Sequence, residues 1–348
     1  MKRALLALVV LSASACAHQA PPSSPAVSEA SPAAAPAAAA TPTKGTVATK
    51  SFHSDALGVD KSYMIYLPAG YDAEATRRYP VIYMLNGLGG DETNWIEYGH
   101  ADAAADTLGL QAILVFPDAD SSFYVNSATA LNYDECVAKG TGVFGRVADR
   151  KSFCVRTPRY EDYMTKDLVA HIDATYRTIP ERRARALSGN SMGGFGALQL
   201  SFRHPDLFGS AVSHSGVDAL LYAGPYPYDA AKVQLVEDVT HWGEKAEPLG
   251  GWIRGVFGSD LANWKKYDPA VLATELKDGA VAIYLDGGTA DGFGLNAGDE
   301  YLHDVLTAHH ITHAYTMVEG GKHDFSLWSQ RVDDGLAFHQ AFFAKSGL

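Results

Sequence analysis

The sequence predicts an α/β fold: a mostly parallel central sheet with helices on both faces. Three observations carry that reading. Short apolar runs of strand character alternate with longer segments of helical spacing from about residue 60 onward. Two of those runs, Tyr79 to Leu85 (YPVIYML) and Ala112 to Phe116 (AILVF), are apolar almost throughout, as strands buried on both faces are. The pentad Gly189-Asn190-Ser191-Met192-Gly193 stands where one apolar run, Ala184 to Ser188, gives way to a helix-compatible stretch, Gly194 to Phe202.

The elements follow in order. Ser62 to Leu67 alternates like a strand and Pro68 ends it. Tyr79 to Leu85 runs into a glycine-rich loop, Asn86-Gly87-Leu88-Gly89-Gly90. Ala101 to Leu108 reads as a helix, and Ala112 to Phe116 as a strand closed by Pro117-Asp118. Tyr163, Leu168, Ile172 and Tyr176 give residues 160–176 a helical period. Gly209 to Ser213, Val281 to Leu285 and His313 to Val318 are further strands, with a helix from about Ala297 to Ala308 between the last two. A final helix covers about Phe325 to Ala344. Ligands in such sheets sit beyond the carboxyl ends of the strands, where the loops after Leu85, Ser188 and Leu285 emerge. Residues 119–158 and 218–268 break the pattern and are rich in aromatics, glycine and proline. We read them as two insertions over the active-site edge that shape the substrate, with Phe123, Tyr124, Tyr222, Tyr226, Tyr228, Trp242 and Trp252 as candidate wall residues.

The first 45 of the 348 residues read differently. Met1-Lys2-Arg3 is basic, and Ala4 to Leu11 is apolar but too short to span a bilayer. Ser12-Ala13-Ser14-Ala15-Cys16 supplies small residues before a cysteine. This predicts a signal peptide over residues 1–16, of lipoprotein type with Cys16 lipidated; cleavage near Ala15 or Ala17 is the competing reading. Residues 17–45 are nearly all Ala, Pro, Ser and Thr and predict a disordered tether. Residues 46–348 are expected to form one folded catalytic domain. The expected location is outside a bacterial cytoplasm: periplasmic or lipid-anchored, alternatively secreted. A second stretch of membrane length is absent, so membrane contact is expected only through the N-terminal anchor. The formal charge of −12, without a basic run beyond the start, argues against a nucleic-acid partner. With Cys16 consumed, Cys136 and Cys154 remain as a pair, expected to close a disulfide contributing about 3 kcal/mol in an oxidising compartment. Nothing in the sequence reports the oligomeric state.

The pentad is a G-x-S-x-G nucleophile elbow. A serine hydroxyl is a weak nucleophile near neutral pH and needs a histidine base that a carboxylate orients. His323 lies on a glycine-rich loop just after the last strand and is the best base. The acid lies in Leu285-Asp286-Gly287-Gly288-Thr289-Ala290-Asp291, where Asp291 has the longer reach and Asp286 is close enough to the strand to serve the turn instead. Two backbone N–H groups should receive the developing oxyanion: Met192, after the nucleophile, and Leu88 in the glycine-rich loop, with Gly89 as the alternative. His204 reads as a helix cap, and His309, His310 and His313 as a solvated helix end rather than metal ligands. No metal or cofactor is expected.

Taken together, Leu85-Asn86-Gly87-Leu88, Gly189 to Gly194, Asp286-x-Gly288-x-x-Asp291-x-Phe293 and His323-Asp324-Phe325-x-x-Trp328 resemble the esterase D-like branch of the α/β-hydrolases. That branch includes S-formylglutathione hydrolases, feruloyl and other carbohydrate esterases, enterochelin esterases and mycolyltransferases. Tyr160-Glu161-Asp162-Tyr163 and the stretch from Trp264 to Pro269 are also similar, so the resemblance covers residues 50 to 345. It implies the α/β-hydrolase fold, with Ser191 as nucleophile, Asp291 as acid, His323 as base, and Leu88 and Met192 as oxyanion donors. The implied activity is hydrolysis of a small-molecule or carbohydrate carboxylic ester through an acyl-enzyme. The alternative is transfer of the acyl group to a sugar or glycerol hydroxyl. The insertion with Cys136 and Cys154 departs from the branch, so the resemblance does not carry a substrate.

Overall fold

The computed structural model describes residues 43–146 and 149–348. The expected signal peptide, Cys16 and nearly all of the tether lie outside them. Eight strands form one sheet: β1 (Thr46–Ser54), β2 (Val59–Leu67), β3 (Val81–Leu85), β4 (Ile113–Pro117), β5 (Arg185–Asn190), β6 (Ser210–His214), β7 (Ala282–Gly288) and β8 (His313–Val318). Their order across the sheet is β1-β2-β4-β3-β5-β6-β7-β8. β1 and β2 are antiparallel to their neighbours, and β4 through β8 run parallel. β1 pairs with β2 along its whole length yet is mostly exposed, so its sequence lacks the apolar alternation that betrays a strand.

Helices cover both faces. They are α1 (Ala101–Thr107), α2 (Tyr160–Asp162, Tyr163–Leu168 with a π-helical register, and Val169–Thr175), α3 (Met192–Arg203), α4 (Leu295–Ala308) and α5 (Phe325–Lys345). Alternation along the central strands divides the core: Tyr83, Leu85 and Val115 pack with α2 and α3, while Ile82, Met84, Leu114 and Phe116 pack with α1 and α5. That two-sided burial is why YPVIYML and AILVF are apolar without interruption. No helix among the described residues is long and apolar enough to cross a membrane.

At the antiparallel edge, β2 buries Lys61 completely, with its ammonium 2.6 Å from Asp118 and 2.8 Å from Asp120. Burial works against the ammonium, but the two carboxylates outweigh it and raise its pKa. The same ammonium donates to the Ser152 carbonyl at 3.3 Å, which fixes the base of the first insertion. In that insertion Cys136 and Cys154 are joined by a disulfide. The second carries the helices Leu249–Phe257 and Leu261–Tyr267. Phe153 against Trp252, with ring centroids 6.3 Å apart, links the two insertions.

Candidate active site

The elbow between β5 and α3 forces Ser191 to φ 55° and ψ −119°, a conformation non-glycine residues rarely adopt. The turn closes only because its flanks are glycines. A Cβ on Gly189 would stand 2.3 Å from the Gly193 carbonyl carbon, and one on Gly193 would stand 2.3 Å from the Leu85 oxygen. The Ser191 N–H donates to the His214 carbonyl on β6 at 2.9 Å, which pins the strained residue.

The hydroxyl of Ser191 lies 2.9 Å from His323 Nε2, and His323 Nδ1 lies 2.7 Å from Asp291 Oδ2. These three residues come from different loops at the carboxyl end of the sheet. The acid and base loops are joined by their backbones: Thr289 N–H donates to the Val318 carbonyl, Ala290 N–H to the Gly321 carbonyl, and Gly320 N–H to Thr289 Oγ1. Phe293 N–H donates to Asp291 Oδ1 at 2.7 Å, which fixes the carboxylate from its other side. The His323 ring is held edge-on between Phe293 and Trp328, each at a centroid distance of 5.0 Å.

Asp286 does not serve its turn. β7 continues to Gly288, so Asp286 belongs to the strand rather than to the loop. Its buried carboxylate accepts from His214 Nδ1 at 3.0 Å and from Arg331 Nε on α5 at 3.2 Å.

Of the candidate oxyanion donors, Leu88 N–H and Met192 N–H have no protein acceptor among the described residues. Gly89 N–H is already engaged, donating to Ser121 Oγ at 3.2 Å. Leu88, Ser191, Met192 and His323 share the lining of one cleft of about 680 Å³. Its walls are aromatic and aliphatic, and no lysine or arginine side chain among the described residues lines it. Phe123, Tyr222, Tyr226 and Trp242 lie in those walls. Tyr124, Tyr228 and Trp252 do not: Tyr124 and Tyr228 donate to Asn86 and Asp304, tying the insertions to the body, and Trp252 donates to the Ser121 carbonyl, tying them to each other.

His204 caps α3 and its Nε2 meets Glu161 at 2.9 Å. His309 follows α4, and His313 pairs with His303 at 2.7 Å. No cluster of metal-ligating side chains occurs among the described residues.

Sequence reasoning passed over Asp218 and Asp299, both buried beside the site. Asp218 lines the cleft and accepts from Ser213 Oγ at 2.7 Å; its second oxygen and both oxygens of Asp299 have no donor among the described residues. Their neighbours lie close together: a Cβ on Gly298, beside Asp299, would stand 3.7 Å from Ala219, beside Asp218. Burial pushes both above the usual carboxylate range, Asp218 to about 7; the Asp286 charge adds to the rise at Asp218, and the Asp218 charge adds to that at Asp299. No local pattern marks such residues; only their burial against the acid loop reveals them.

An elbow, a histidine and an aspartate gathered at the carboxyl end of a mostly parallel sheet define an enzyme of the α/β-hydrolase class. Residues 54–339 match the Esterase family ("Putative esterase"), and the chain belongs to that family. It is 28% identical to the S-formylglutathione hydrolase of Arabidopsis thaliana over 240 residues, covering 69% of this chain and 73% of that one. Solved structures of the same fold include a ferulic acid esterase (TM-score 0.62, 20% identity, 86% of this chain and 99% of that one). Another is MPT51 of Mycobacterium tuberculosis (TM-score 0.62, 16% identity, 85% and 98%). The protein is a carboxylic ester hydrolase.

Proposed function

We propose that the protein is an exported serine esterase working through Ser191, His323 and Asp291. The observation that carries this is the hydrogen-bonded chain from Asp291 through His323 to Ser191 at the floor of the cleft. His323 Nε2 takes the hydroxyl proton as Ser191 Oγ attacks the ester carbonyl. The carbonyl oxygen gains the negative charge and accepts from the Leu88 and Met192 N–H groups. Collapse breaks the bond to the alcohol oxygen, which leaves with the proton from His323. Water then gives a proton to the same nitrogen and attacks the acyl-enzyme; the acid departs and Ser191 is restored. Asp291 holds the ring and stabilises the imidazolium.

The apolar walls favour uncharged esters with a sizeable hydrophobic part. A glutathione thioester, with its two carboxylates, finds no cation among the described lining side chains. Ser191→Ala tests the reading. kcat/KM on p-nitrophenyl butyrate should fall on the order of 10⁴-fold or more, and labelling by a fluorophosphonate should vanish. Retained labelling would remove Ser191 from its role. Product analysis with added glycerol or sugar separates hydrolysis from acyl transfer: free acid as the main product supports the hydrolase, ester of the added alcohol the transferase. Export through a lipidated Cys16 predicts that Cys16→Ser moves the protein from membranes to the soluble fraction.

A further inference from the structure

The first insertion places one side chain at the cleft in an unusual way. Within the loop closed by Cys136 and Cys154, Thr141–Gly142 pairs with Gly145–Arg146, and Val143 and Phe144 form the turn between them. The loop is anchored at its base. Ser152 meets Asp118 and Lys61, and Arg150 donates to the Val137 and Ala138 carbonyls, each at 3.3 Å. Its tip is not buried: Phe144 is 68% exposed. An exposed phenylalanine on an anchored hairpin asks what the ring touches. It lies on Gly89 of the oxyanion loop, so close that a Cβ there would stand 2.3 Å from Phe144 Cδ2. Gly89 has φ +75° and therefore suits glycine on two counts.

Phe144 borders two cavities. One is the catalytic cleft of about 680 Å³. The other, of about 430 Å³, is lined by Asp91, Glu92, Asp118, Asp120 and Asp149. Lys61 answers only Asp118 and Asp120. Phe144, Gly89 and Gly90 line both spaces, and Phe144 is the one of the three with a side chain.

We propose that Phe144 is a specificity-determining residue: its ring is the partition that keeps the apolar cleft separate from the carboxylate-lined space beside it. This rests on Ser191 being the nucleophile of an ester hydrolase. With the ring in place, substrates are confined to the apolar cleft. Without it, an ester with a cationic end reaches the carboxylates, and a neutral ester of the same shape gains nothing from them.

The test uses two isosteric esters, acetylcholine and 3,3-dimethylbutyl acetate, which differ in one quaternary nitrogen against carbon. The measured quantity is the ratio of their kcat/KM values in wild type, Phe144→Ala and Phe144→Leu. Phe144→Ala should shift the ratio toward the choline ester by roughly tenfold, the size of one partly solvated charge contact. Phe144→Leu retains most of the volume and should keep the wild-type ratio. A cleft that was merely loosened would change both esters alike, so an unchanged ratio in Phe144→Ala overturns the proposal. A Cys136→Ser/Cys154→Ser double variant, which frees the hairpin, should move the ratio in the same direction; melting curves verify that each variant is folded. If neither ester is cleaved by an enzyme that fluorophosphonate labels at Ser191, the partition has no role in ester selection. If Ser191 is not labelled, it is the underlying reading that fails.

Discussion

Two histidine–aspartate couples stand on neighbouring strand ends, and their surroundings differ. His323 and Asp291 meet at 2.7 Å, His214 and Asp286 at 3.0 Å. Both use Nδ1, and both aspartates follow the same apolar run, five residues apart. The difference lies at the far nitrogen. His323 Nε2 faces the Ser191 hydroxyl and the cleft. His214 Nε2 has no partner among the described residues and is pressed against Gly335 of α5, where a Cβ would stand 2.8 Å away. Arg331 completes the second couple with a permanent charge. A histidine paired with a carboxylate is therefore not in itself a proton relay. It becomes one when its other nitrogen opens onto a hydroxyl; closed off, the same couple becomes a brace, here one whose histidine carbonyl holds the Ser191 N–H.

The comparison breaks most visibly at the aspartates. Asp291→Asn should lower kcat on the order of 10⁴-fold by favouring the wrong tautomer of His323, with Tm nearly unchanged. Equal kcat in variant and wild type would show that the open couple is not the working one. Asp286→Asn should do the reverse, costing about 3 kcal/mol of stability by leaving Arg331 and His214 without their carboxylate. Its signature is a drop in Tm rather than in the turnover of folded enzyme; a kcat loss matching that of Asp291→Asn would erase the distinction drawn between the couples.

The smallest effect concerns the acid pair behind them. Asp218 and Asp299 face His214 and Asp286 on the strands, Asp291 on the acid loop and Tyr315 on β8. Their folded pKa values are raised, so the folded protein binds protons at these carboxyls more tightly than the unfolded chain does. Stability from this source is complete below the ordinary carboxylate range and is lost as pH rises from about 4 toward the Asp218 value of about 7. Asp299→Asn should remove the Asp299 share of that slope, leaving the Asp218 share, and gain on the order of 1 kcal/mol at pH 8 relative to pH 5. Parallel Tm–pH curves for variant and wild type would mean that Asp299 adds nothing to that pH dependence.

The legible parts of the molecule were those whose physics is local. Glycine spacing around Ser191 is imposed by a turn of a few residues, and two-sided burial writes itself into β3 and β4 as uninterrupted apolar runs. Preferring Asp291 to Asp286 needed reach and family resemblance, because both follow one apolar run; that β7 continues past Asp286 to Gly288 is set by its pairing with β8, which the local sequence does not encode. Lys61, His214, Asp218 and Asp299 were illegible for a related reason. Each is a polar residue buried only after distant segments close over it, and alone each reads as surface. Phe144 was hidden in the opposite way, since an aromatic in a glycine-rich insertion carries no sign of which wall it meets.

The backbone bonds between the segments bearing Asp291 and His323 have a practical consequence. Those two side chains travel as one rigid piece, and the elbow that presents Ser191 is fixed independently by β6. The cleft-lining wall residues Phe144, Tyr226 and Trp242 stand outside that frame, unlike the buried Phe123, Tyr124, Phe257 and Trp264 of the same insertions. A mutant library confined to the walls should therefore yield altered preferences far more often than dead enzyme, which makes this scaffold a ready host for catalysts that accept new esters.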